Sequence, residues 1–153
     1  MRRLTVLLTV LGMGCGGAGG GSQAPVPATM SGAVGEFLEA ARTNDIHKMG
    51  RVWGTERGPA AEWMQDSTLQ MRMAIVQRYM SASGYRIVEG PLVVPGHPDR
   101  RLFRVELQRS QCLHIQPIEL VQARRGGWLV FDVHLESANE TGACPARSPG
   151  TKP

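Results

Sequence analysis

Apolar positions fall at helical spacing in the first half of this chain and at alternate positions in the second. Val34, Phe37, Leu38 and Ala41 recur every three or four residues, the stripe a helix buries, and Ser31 stands where a cap is expected. Asn44-Asp45 interrupts the stripe, and Asp45 is placed to cap a second short helix bearing Ile46, Met49, Val52 and Trp53. Gly54 to Pro59 reads as a loop. A longer helix is then expected from Ala60 to Ser83, through Trp63, Met64, Leu69, Met71, Ile75, Val76, Tyr79 and Met80. Its wide apolar face suits a helix laid across a sheet.

After Gly84 the period changes to two. Tyr85 to Val94 reads as a strand broken by Gly90-Pro91, and Pro95 to Arg100 as a turn. Leu102 to Gln108 sets Phe103, Val105 and Leu107 against Arg104, Glu106 and Gln108, the alternation of a half-buried strand. Gln111–Ala123 and Trp128–Ser137 flank Arg124-Arg125-Gly126-Gly127, a hairpin signal because glycine takes the positive φ of a tight turn. Helices first and four antiparallel strands afterwards give an α+β domain, with N-terminal helices packed on one face of a curved four-stranded sheet.

The first residues carry a different message. Arg2-Arg3 followed by the apolar run Leu4–Leu11 reads as a secretory signal, too short to span a bilayer, which takes about 20 residues. Leu11-Gly12-Met13-Gly14-Cys15 resembles the bacterial lipobox, with the large apolar residue one place early. That resemblance implies a signal peptide over 1–14, a lipid on Cys15 and anchoring at the cell envelope. Gly16 in place of Asp leans towards the outer membrane. Ordinary cleavage giving a secreted or periplasmic protein is the alternative. Gly16–Thr29, Gly-rich and then Pro-rich, reads as a flexible tether from the lipidated cysteine over 15–29. The folded domain is expected over 30–145 and a disordered tail over 146–153.

Charge and composition add mainly exclusions. The 153 residues carry a net charge of +4, and two of those charges are Arg2 and Arg3. The remaining basic residues are scattered, which argues against a nucleic-acid partner. Gly12-x-Gly14-x-x-Gly17 imitates a dinucleotide fingerprint, but Pro25 and Pro27 follow where a helix would have to begin. No nucleophile elbow, P-loop, zincin or C-x-x-C motif is present, and no cofactor is implied. Met71-x-Met73 suggests a soft copper(I) site only superficially. Residues two apart on a helix point to different sides, so no metal is expected.

The order of elements resembles the NTF2-like superfamily. The resemblance is carried by Val34–Asp45, by Val52-Trp53-Gly54-Thr55-Glu56-Arg57-Gly58-Pro59, and by Gly126-Gly127-Trp128-Leu129-Val130. It covers about residues 31 to 137 and implies a cone whose sheet wraps a pocket, and often a homodimer. Phe37, Trp53, Met71, Ile75 and Phe131 are then the expected pocket lining, around a small apolar ligand or simply packed. The resulting expectation is a membrane-anchored, non-catalytic binding domain. The alternative is a small enzyme of isomerase, dehydratase or hydrolase type, and a third reading is an envelope partner that dimerises through an exposed patch around Trp128 and Val130. Pro117 departs from the pattern and calls for a bulge or an edge position.

Candidate chemistry follows from the hairpin. A turn centred on Arg125-Gly126 places Ile118, Leu120, Leu129, Phe131 and Val133 on the face towards the helices. The other face then carries Trp128, Val130, Asp132 and His134, with Glu119 opposite Asp132. Two carboxylates and an imidazole invite an acid/base reading. A solvated sheet face is the plainer one, and no catalytic residue is assigned. His114 falls on the apolar face as a hydrogen-bonded core or rim histidine. With Cys15 lipidated, Cys112 and Cys144 remain of three cysteines, an even remainder that suggests a disulfide in an oxidising compartment. Two buried thiols are the alternative.

Overall fold

The computed structural model of the chain describes residues 25–109 and 112–139. Three α-helices precede a four-stranded antiparallel sheet whose strands lie side by side in chain order. Helix α1 spans Met30–Arg42 and α2 spans Ile46–Val52. Asp45 caps α2 as its position suggests, accepting from the Lys48 amide at 2.8 Å. The cap of α1 is Thr29 rather than Ser31: its hydroxyl accepts from the Gly32 amide at 3.1 Å, and Ser31 already lies inside the first turn.

The expected loop at 54–59 is a small antiparallel ribbon of β1 (Gly54–Thr55) and β2 (Gly58–Pro59). The long helix expected over 60–83 divides into a 3-10 turn, Ala60–Glu62, and α3, Asp66–Met80. Gln65 has extended dihedrals, so the helical hydrogen bonding restarts there. Among the described residues no helix is long and apolar enough to cross a membrane.

The sheet consists of β3 (Gly84–Val94), β4 (His97–Arg109), β5 (Cys112–Gln122) and β6 (Trp128–Asp132). β3 and β4 meet around Pro95-Gly96, so the expected turn is shorter than the span 95–100. Pairing of β4 with β5 runs unbroken through Pro117, which lies opposite Arg104. β6 pairs only with Glu119–Gln122. Pro117 therefore sits where β5 has no partner on its second side, the edge position a proline tolerates.

One face of the sheet meets the helices. Phe103, Val105, Leu107, Ile118, Leu120, Val130 and Val133 join Val34, Phe37, Leu38, Met49, Met73 and Met80 in one buried cluster. The second cluster, Val121, Ala123 and Leu129 with Val26 and Phe131 against it, lies on the other face. Residues 26–27, expected within the tether, belong to this packing. The Trp128 amide donates to the Pro27 carbonyl at 2.8 Å, and Val26 packs beside Leu129.

The hairpin corrects the expected faces of β6. Gln122 pairs with Trp128 and Leu120 with Val130, so the turn is centred on Arg125. That small displacement turns Val130 to the helices and Leu129 and Phe131 away from them, because side chains alternate with a period of two. A bulge between Glu119 and Leu120 then takes up Phe131 as the extra residue and brings Glu119 opposite Asp132. Pro117 itself takes the edge alternative and needs no bulge. Gly126 and Gly127 supply the positive φ of the turn, +92° and +82°.

Candidate functional site: a carboxylate–imidazole cluster on the outer sheet face

The five expected pocket residues do not line one space. Phe37 is fully buried, with its ring 5.9 Å from that of Trp53, and this pair belongs to the packed interior. Met71 and Ile75 are 66% and 49% exposed on the outward side of α3. Met73 is fully buried, so Met71 and Met73 do face different sides. Phe131 lies across the sheet, for the register reason given above. Val130 is fully buried, so no exposed patch forms around Trp128 and Val130. The space between the helices and the sheet is filled by side chains. Phe37, Met49, Met73, Met80, Leu107, Ile118 and Leu120 are all less than 2% exposed there.

The trio Glu119, Asp132 and His134 does converge. Glu119, only 7% exposed, shares its two oxygens between Arg100 and His134. Arg100 Nη1 donates to Oε1 at 2.9 Å, and His134 Nε2 lies 3.3 Å from Oε2. The second contact is an approach of charge rather than a directed hydrogen bond, since Nε2 is buried with no hydrogen-bond partner among the described residues. Arg100 reaches Glu119 because it sits two residues along β4 from Leu102, which pairs with Glu119. Its guanidinium lies 3.8 Å above the centroid of Phe131, a cation–π contact that holds the charge in place. Sequence reasoning placed neither Arg100 nor the bulged Phe131 here. The only available signal was Arg100 two residues from a position opposite Glu119.

His134 is held from its other edge as well. Nδ1 lies 2.9 Å from Glu136 Oε1 and 3.9 Å from Asp132 Oδ2. Burial pulls the imidazole pKa down, but the hydrogen bond to Glu136, the charges of Asp132 and Glu136 and the side-chain contact with Glu119 outweigh it, and the net direction is up. Glu136 moves down, through a backbone hydrogen bond first and His134 second. The backbone here is unusual. His134 has φ of +43°, a left-handed conformation that costs a non-glycine residue about 1–2 kcal/mol. Asp132 supports it: Oδ1 accepts from the amides of Val133 at 2.7 Å and His134 at 3.3 Å. β6 therefore stops at Asp132, well before Ser137, and a 3-10 turn, Leu135–Asn139, follows.

The opposite face of β5 grips the same turn. Gln116 is fully buried, and its side-chain amide donates to the carbonyls of Val133 and His134 and to Ser137 Oγ. Its Oε1 accepts from His114 Nε2 at 3.1 Å. His114, 7% exposed, is thus the hydrogen-bonded core histidine its position suggests. His47 and His97 are exposed at the start of α2 and of β4. Cys112 opens β5 and is disulfide-bonded. Cys15 and Cys144 lie outside the described residues, as do the signal, the lipobox and the expected tail.

No protein-family model, no curated protein and no solved structure matches this chain. The site must therefore be read from its own chemistry. Glu119, Asp132 and Glu136 surround one imidazole and one guanidinium. The ion pairs bind β4, β5, β6 and the 3-10 turn together.

Proposed function

We propose that the chain is an exported lipoprotein, anchored to a bacterial envelope membrane by a lipid on Cys15. Its NTF2-like domain acts by contact rather than by catalysis. The filled interior carries this reading. Enzymes and binders of small molecules use concave sites of about 300–1,000 Å³ with a few convergent polar groups, and the space beneath the helices here is occupied by Phe37, Met49, Met73 and Met80. The place for a small apolar ligand is instead a surface hollow of about 490 Å³ beside the start of α1, where Met30, Ile87, Pro91, Phe103 and Trp128 meet. A homodimer would use the outer sheet face, where Leu113 is 60% exposed beside the partly open Leu102, Ile115 and Pro117. The pairing of Cys112 with Cys144 belongs to the same proposal, since an envelope compartment is oxidising.

The convergence of Glu119, Asp132 and His134 favours a second reading, a small acid/base enzyme. The cluster, however, pairs its own charges, and the hollows lined by Glu56, Asp99 and Arg124 and by Asp45, Gln70 and Met71 do not reach it. Intact-mass spectrometry of the native protein tests the first reading. Acyl mass on Cys15, lost together with membrane association in Cys15→Ser, is the expected result. An unmodified Cys15 in a soluble protein would overturn the anchor. Turnover abolished by His134→Gln with folding intact would overturn the non-catalytic assignment.

A further inference from the structure

The His134 ring presents both of its nitrogens to carboxylate oxygens, Nε2 to Glu119 and Nδ1 to Glu136. A carboxylate only accepts hydrogen bonds, and a neutral imidazole carries one N–H. In the neutral form, one ring nitrogen would turn its lone pair towards an anionic oxygen. Only the imidazolium can donate from Nδ1 to Glu136 while turning a positive N–H edge, rather than a lone pair, towards Glu119. The surroundings agree in sign. Around the ring, Glu119, Asp132 and Glu136 supply three negative charges and Arg100 supplies one positive charge. These are the charged groups presented by β5, β6, the 3-10 turn and β4. The cluster therefore has a deficit of positive charge that a protonated His134 reduces.

The position of the ring gives that proton a mechanical consequence. His134 heads the turn at which the chain leaves the sheet, and its left-handed backbone is one the residue does not favour by itself. The turn is gripped from two sides of β5. On the helix face, the Gln116 side-chain amide holds the backbone carbonyls of Val133 and His134 and is itself braced by the buried His114. On the outer face, the grip is the ion pair of His134 with Glu119, and it exists only while the ring is charged. The two grips thus differ in kind: an amide on backbone carbonyls on the helix face, and an imidazole on a carboxylate on the outer face.

We propose that His134 is a proton-operated clasp: its imidazolium pins the turn at 133–139 to the buried carboxylate of Glu119, and loss of one proton loosens that turn from the outer sheet face. The inference is independent of the anchoring and binding reading above, since it rests on the cluster alone. It makes the exit of the C-terminal chain from the sheet responsive to pH above the ordinary imidazole value, while the sheet and its helix-side core stay closed.

The test uses the full chain and two readouts. Imidazole nitrogen shifts followed by NMR from pH 5 to 9 should show His134 protonated at both nitrogens on the acid side, with a midpoint above 6.5, its ordinary value. Amide exchange at Ser137, whose N–H donates to the His134 carbonyl, should lose protection across the same midpoint after correction for intrinsic base catalysis. Glu119→Gln should shift the midpoint down and abolish the pH step in protection. Should Glu119→Gln fail to fold, Glu136→Gln provides the alternative, because Glu136 is exposed. It should lower the midpoint with the fold intact. A midpoint at or below 6.5, a midpoint unmoved by either variant, or protection at Ser137 that does not change through the titration overturns the clasp.

Discussion

Truncation of Phe37 to alanine separates a filled interior from a ligand pocket. The side chain is fully buried between α1 and the sheet, against Trp53 at 5.9 Å between ring centroids. Its neighbours in the cluster are themselves close to fully buried, so they have little room to collapse into the space left. Burial of this kind places the cost at the usual figure for a core phenylalanine, about 3–5 kcal/mol. A domain of this size has a total stability of about 5–15 kcal/mol, so the loss is a large part of the whole. At roughly 4 °C per kcal/mol it lowers Tm by about 12–20 °C. Urea unfolding followed by tryptophan fluorescence measures it directly. Met71→Ala and Ile75→Ala serve as controls, since both side chains are largely exposed and should change stability by less than about 0.5 kcal/mol. A cost below about 1 kcal/mol for Phe37→Ala would mean that the ring lines open space, and the reading of the interior would fail.

Other consequences follow from single features. Gly127→Ala should cost more than Gly126→Ala. Both residues have positive φ, but a Cβ on Gly127 would lie 2.7 Å from Val26 Cγ1 and 2.9 Å from the Pro27 carbonyl, whereas Gly126 has nothing within 4 Å. Equal costs in denaturant unfolding would show that residues 26–27 do not pack there. The His134 pair has a defined pH window. Its raised pKa gives stability that is fully present below 6.5 and is lost as pH rises through the folded-state value. Glu136, lowered from 4.5, gives stability present above 4.5 and lost as pH falls. The pair should therefore contribute most between these two values. Thermal unfolding of wild type and His134→Gln should differ most there, and a difference independent of pH would refute the assignment. The proposed Cys112–Cys144 bond closes a loop of about 30 residues, and its reduction should cost roughly 3–4 kcal/mol. An unchanged Tm after phosphine treatment would argue against that pairing.

Much of the architecture is written in local pattern. The apolar stripe of Val34–Ala41, the cap at Asp45 and the alternation of Phe103, Val105 and Leu107 each follow from a few neighbouring residues, and each is found where expected. The faces of β6 were not legible in this way. They depend on whether the turn centres on Arg125 or between Arg125 and Gly126, a choice that costs little locally but reverses every side chain as far as the next bulge. Phe131 was misplaced for that reason, and Met71 and Ile75 were grouped with it although the buried side of α3 is set by Leu69, Met73, Val76 and Met80. Glu119 opposite Asp132 was nevertheless found, because the bulge at Phe131 cancels the displacement of the turn. Arg100 escaped notice because its role depends on diagonal neighbours across β4 and β5 and on an aromatic ring brought over from β6. Gln116 escaped because a buried glutamine reads from sequence as one more polar residue in a strand.

The central claim is that the space beneath the helices is packed and dry. The most direct measurement is uptake of a small apolar probe, benzene or xenon, followed through the methyl signals of Met49, Met73 and Met80, which are at most 1% exposed. Such probes enter genuine apolar cavities of about 150 Å³. The account predicts no saturable shift of these methyls in the wild-type chain and a clear one in Phe37→Ala. Saturable shifts in the wild type would show an open interior and contradict it.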